Sequence, residues 1–142
     1  MRFTVVGAAV LTLLASSATG QGSGSGITGN WRTDDGKAVI TIAPCSAGAA
    51  ALCGRISRFL VPEPAGGARD DNNPNRALRD RPLMGVAVLT NLSFRDGAWH
   101  GRGYSPEEGR NFTATVRTES GRLRVRGCVA LFCRTVEWTR AR

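Results

Sequence analysis

Apolar and polar residues alternate along much of the chain with a period of two, the signature of a strand with one buried and one wet face. The pattern is clearest late. Phe112, Ala114 and Val116 oppose Thr113, Thr115 and Arg117, and Leu123, Val125 and Gly127 oppose Arg122, Arg124 and Arg126. Read in order, it predicts strands at about 28–33, 37–43, 52–60, 85–92, 98–104, 111–118, 122–128 and 134–140. Turn chemistry separates them: Asp34-Asp35-Gly36, Arg95-Asp96-Gly97, Ser105-Pro106-Glu107-Glu108-Gly109 and Glu119-Ser120-Gly121. Pro44 is expected to end the second strand because it cannot donate to a ladder. Past the leader, no stretch has a convincing helical period.

Regularity stops between Val61 and Pro82, where Pro62, Pro64, Pro74 and Pro82 forbid a long helix or strand. Asn75 to Arg79 has the composition for one helical turn. A connection this long is uncommon in a compact domain and, when ordered, is often functional. About eight strands joined mostly by hairpins predict an all-β, antiparallel up-and-down barrel with a long central loop. A two-sheet sandwich is the alternative. In the barrel, the last strand returns to pair with the first.

Residues 1–20 read as a signal peptide: Arg2, an apolar run from Val5 to Leu14, then small residues with cleavage expected near Ala18 or Gly20. Residues 21–27 read as a flexible linker and 28–142 as one barrel domain. No cysteine follows the apolar run to carry a lipid, and no other stretch is apolar enough to span a bilayer. The expected product is a soluble, monomeric protein, periplasmic or secreted. Four cysteines in such a compartment point to disulfides, with three connectivities possible. Their proximity in sequence favours Cys45–Cys53 and Cys128–Cys133, and neither pair has zinc-knuckle spacing.

The net charge of +8 is carried almost wholly by arginine, since Lys37 is the only lysine. Such a balance favours polyanions or anionic lipid surfaces without specifying nucleic acid. Arg122, Arg124 and Arg126, with Arg117 and Arg134 nearby, form the row that would meet an anionic envelope surface.

Gly29-x-Trp31 near the start and Trp138-x-Arg140 near the end resemble the lipocalin-like barrels. That resemblance implies Trp31 closing one end beneath Arg140. A closer resemblance spans nearly the whole mature chain. It rests on Gly29-Asn30-Trp31, Ile42-Ala43-Pro44-Cys45, Leu52-Cys53-Gly54-Arg55-Ile56, Arg79-Asp80-Arg81-Pro82-Leu83-Met84-Gly85, Trp99-His100-Gly101, Tyr104-Ser105-Pro106-Glu107, Arg126-Gly127-Cys128 and Trp138-Thr139-Arg140. These segments are similar to the bacterial family designated domain of unknown function 2147. The family implies a small exported lipocalin-like barrel and no established activity. Gly103 departs from its pattern, which places an aliphatic residue there, and leaves a gap on one barrel face.

Candidate chemistry centres on the long loop. Asp70, Asp71, Asn72, Asn73, Arg79 and Arg81 gather acids, amides and guanidiniums, and arginine forks suit carboxylate or phosphate groups. The expected site for a small apolar or amphiphilic ligand is the barrel mouth. There Asp71, Asn73, Arg79 and Arg81 would take a polar head while an interior lined by Trp99 and Tyr104 takes an apolar tail. The structural alternative has the acids and amides capping turns, with the arginines paired to Asp70, Asp71 or Asp80. Calcium lacks its distal acidic ligand. His100, the only histidine, and Glu107-Glu108 form no nucleophile–base constellation, so no catalytic residue, metal or cofactor is expected.

Overall fold

The structure, a computed structural model, describes residues 26–142. The expected signal peptide and most of the linker lie outside the described residues. Eight antiparallel strands run β1 Gly29–Arg32, β2 Ala38–Pro44, β3 Leu52–Phe59, β4 Ala87–Arg95, β5 Ala98–Ser105, β6 Arg110–Glu119, β7 Arg122–Val129 and β8 Phe132–Arg140. Each pairs with its sequence neighbour, and β1 pairs with β8, so the sheet is a closed up-and-down barrel and not a sandwich. The seam is narrow: Trp31 opposes Arg140 and Arg32 opposes Thr139. Both disulfides tie neighbouring strands near their ends. Cys45, the residue just past β2, is bonded to Cys53 on β3 with Cα atoms 4.8 Å apart, and Cys128–Cys133 spans β7 and β8 at 4.1 Å.

Most boundaries shift by a residue or two from the sequence expectation, and three of the shifts have a plain local cause. Pro44 is the last residue of β2, opposite Leu52, because a strand terminus tolerates the missing donor. β4 runs on to Arg95, since the tight turn at Asp96-Gly97 lays Ser93, Phe94 and Arg95 directly against His100, Trp99 and Ala98. β8 starts at Phe132, because the chain reverses over only Ala130-Leu131. Ile27 is also not linker: it is 2% exposed, and its carbonyl accepts the Trp31 indole N–H at 2.8 Å. An apolar plug tied to the closing tryptophan buries more surface than a free linker would.

The inward face carries the core: Trp31, Ile40, Ile42, Leu89, Leu92, Trp99, Ala114, Val116, Leu123, Val125 and Trp138 pack into one buried cluster. The gap expected at Gly103 is filled. Gly103 opposes Phe112 on β6, and a Cβ there would run into the Phe112 ring. That ring also lies over Gly127 on β7, where a Cβ would stand 2.9 Å from Phe112 Cδ2. One aromatic ring therefore occupies the space that two flanking glycines leave free. At Gly54 a Cβ would meet Ile40 and Leu89 at 3.1–3.3 Å, so that inward position is filled too.

Candidate functional site

The long loop connects β3 to β4 and is an ordered strut. Arg69 and Pro82 form an isolated bridge, Asp70 N–H donates to the Arg81 carbonyl at 3.1 Å, and Leu83 N–H donates to Ala68 at 2.9 Å. Within this clasp lies one 3₁₀ turn, Arg76–Leu78, whose first turn is capped by the Asn75 side chain accepting from Ala77 N–H at 3.1 Å. Asn73 supports the cap, accepting from Asn75 N–H at 2.8 Å, and its carbonyl receives Arg79 Nε at 2.8 Å.

Asp70 is the hub. Its side chain is fully buried and accepts from three groups: Tyr104 hydroxyl at 2.5 Å, Asn73 Nδ2 at 2.8 Å and Arg81 Nε at 2.8 Å, with Arg81 Nη2 also 2.8 Å away. Burial pushes the carboxyl up, but the hydrogen bonds from Tyr104, Asn73 and Arg81, with the Arg81 charge, outweigh it and hold it below the usual range. Burial first, then the Asp70 bond and charge, push the Tyr104 phenol up to about 12. The pair is thus an ionised acceptor and a neutral donor.

The cluster packs on the outer face of β5, at the end of the barrel that carries the β5–β6 turn. Tyr104 opposes Asn111 and neighbours inward-facing Gly103, so alternation sends its ring to the outer face together with Arg102. The loop follows it there. Asn72 Nδ2 donates to the Glu107 carbonyl at 3.0 Å, and the Asn72 carbonyl packs so closely on Gly109, at φ +60°, that no Cβ fits. Between loop and wall remains an open cleft of about 610 Å³. Its loop side is formed by residues such as Asn73, Leu78, Arg81 and Met84, and its wall by residues such as Arg55, Thr90, Arg102 and Tyr104.

Of the residues expected to bind ligand, Asn73, Arg81 and Tyr104 meet at this cleft. Asp71 is exposed and does not line it, and Arg79 is spent on the Asn73 carbonyl. Trp99 pairs with Phe94 beside the β4–β5 turn and opposes Val116, so it belongs to the core at the other end of β5. Arg55 and Arg102 were not singled out from the sequence. Nothing in the local pattern distinguishes them from other outward arginines until the loop folds over them. Arg55 reaches only the Gly85 carbonyl, at 3.2 Å, and Arg102 has no polar side-chain partner among the described residues.

The closure residues meet as a unit. Arg140 Cζ lies 3.9 Å from the centre of the Trp31 ring, and its nitrogens donate to the Thr28 and Gly26 carbonyls at 2.6 and 2.9 Å. Trp138 is buried beside them in the core. The outward arginine row is partly neutralised: Arg122 pairs with Glu137 at 3.0 Å and Arg124 with Glu119 at 3.1 Å, while Arg126 has no acid partner among the described residues. The side chain of His100 approaches only Thr115 Oγ1, at 3.5 Å. Among the described residues, no helix is long and apolar enough to cross a membrane.

A protein HP1028 from Helicobacter pylori, described as belonging to the lipocalin family, superposes with a TM-score of 0.68 at 18% identity, over 81% of this chain and 82% of that one. At that identity the likeness establishes the barrel fold alone. No curated protein matches the sequence. The family model described as "Uncharacterized protein conserved in bacteria (DUF2147)" matches residues 29–140, the whole of the barrel from β1 to the end of β8, and the chain belongs to that family.

Proposed function

We propose that this is an exported, non-catalytic binding protein for a small amphiphile with an anionic head. Its site is the outer cleft between the long loop and the β3–β6 wall. The carrying observation is the cleft's chemistry. Arg81 is neutralised by Asp70, but Arg55 and Arg102 line the same volume without a carboxylate, beside the apolar side chains of Leu78, Met84 and Val86. Guanidiniums without acid partners suit a carboxylate or phosphate, and the apolar side chains suit a short hydrocarbon. The Asp70–Tyr104–Arg81 network holds the roof in place, so little ordering is needed on binding. The inward positions at Gly54, Gly103 and Gly127, each occupied by a neighbouring side chain, support a site outside the lumen. Two disulfides support export to an oxidising compartment.

The test is calorimetric titration with laurate and with dodecanol. Laurate should bind and dodecanol should bind much more weakly. Arg102→Ala should weaken laurate about tenfold without changing the melting temperature, the loss of one charge-assisted hydrogen bond. Equal binding of both probes, or an Arg102→Ala variant that binds as the parent does, rejects the reading.

A further inference from the structure

The tip of the β7–β8 hairpin carries the most exposed apolar side chains of the described chain: Leu131 is 95% exposed and Phe132 84%. Val129, at 39%, faces Phe132 in the last register pair of the hairpin. Turns of this kind ordinarily take glycine, asparagine or aspartate, which tolerate positive φ and mix with water. Here Ala130 adopts φ +51°, and bulky apolar groups follow it. Among the described residues, nothing in the barrel's own packing buries them.

Two features make the tip a projecting, rigid arm. The Cys128–Cys133 disulfide joins the register pair directly behind Val129 and Phe132. On the other side of β8, β1 pairs only with Thr139 and Arg140, so among the described residues the stretch from Phe132 to Trp138 has no strand beside it there.

The charge around the arm is positive. Arg126 lies on β7 behind the tip and Arg110 opens the neighbouring β6, and neither has an acid partner among the described residues. Arg134, opposite Gly127, stands 77% exposed with Glu108 at 3.8 Å. The other acid of that turn, Glu107, is paired with Lys37 at 2.8 Å. Exposed apolar residues on a braced tip with unpaired arginines behind it match the layering of an anionic bilayer surface: acyl boundary first, phosphates next. We propose that Leu131 and Phe132 form a wedge that docks this protein on anionic phospholipid membranes, with Arg110, Arg126 and Arg134 meeting the headgroups. This surface is separate from the loop cleft and does not depend on it.

Flotation of the purified protein with vesicles tests the wedge, using phosphatidylglycerol mixed with phosphatidylethanolamine against phosphatidylcholine alone. The parent should partition onto the anionic vesicles and be released by salt. The double variant Leu131→Ser/Phe132→Ser should lose at least about tenfold in partitioning, since each side chain removes a buried apolar contribution of roughly that size or more. Its melting temperature should not change. Phe132→Trp should show a blue-shifted emission, quenched by brominated lipid, only with the anionic vesicles. Equal partitioning of the double variant, or a tip tryptophan that stays in water while the protein floats, overturns the proposal. So does a double variant that abolishes a dimer in sedimentation and leaves vesicle partitioning unaltered, which would assign the tip to a second copy of the chain.

Discussion

At Gly29 the backbone takes φ +111°, and a Cβ would stand 2.7 Å from Arg140 Nη1. The glycine of the Gly-x-Trp pair therefore makes room for the guanidinium that covers Trp31. Gly29→Ala should lower stability by about 2–4 kcal/mol, from backbone strain plus displacement of the stacked cation, as read by urea denaturation. Gly103 and Phe112 form a second such pair. Gly103→Ala should cost about 1–3 kcal/mol by overpacking, and most of that cost should vanish in the Phe112→Ala background. Purely additive losses in that double-mutant cycle would mean that the ring does not occupy the gap.

Tyr104 is the only tyrosine, so its tyrosinate absorbance can be followed alone. Its titration should centre at about 12 in the folded protein, against 10.0 for an unperturbed phenol. The folded state keeps the proton longer than the unfolded chain does. The associated stability is therefore fully present below pH 10 and is lost as pH rises towards 12. Tyr104→Phe should remove that alkaline dependence.

At the scale of elements, the long loop depends on one carboxylate. Asp70 is held below its ordinary value of 3.8, so the stability it lends is present above about pH 4 and is lost as pH falls through the folded value. Asp70→Asn should flatten the acid limb of the stability curve. It should also cost about 2–4 kcal/mol at neutral pH, because the Arg81 and Asn73 donors would then face an amide with one acceptor. Hydrogen exchange should show the protection lost mainly across the loop and not in β1 or β8. Loss spread evenly over the barrel would show that the loop is not a separate strut clasped by Asp70.

At the scale of the molecule, the barrel was legible because its rules are local. Phe112, Ala114 and Val116 alternate with polar neighbours, and Asp-Gly turns mark the hairpins. Both disulfides could be paired by proximity in sequence. Asn75 announced its 3₁₀ turn through capping chemistry. The side of the wall on which the loop lies was not legible, because it depends on register: only the Gly103–Phe112 pairing fixes Tyr104 on the outer face. Asp70 and Asp71 look alike in sequence, and only the fold buries one and leaves the other in water. The filled gap at Gly103 also escaped a strand-by-strand reading, since the ring that fills it comes from the next strand.

The outer cleft is tested most directly by amide and methyl chemical-shift mapping during titration with laurate. Shifts should concentrate on Arg55, Leu78, Met84, Thr90, Arg102 and Asn111. They should leave the lumen residues Ala114, Val116 and Val125 unmoved. Shifts centred on those three lumen residues, with the loop and outer wall silent, would contradict the outer site and return the ligand to the barrel interior.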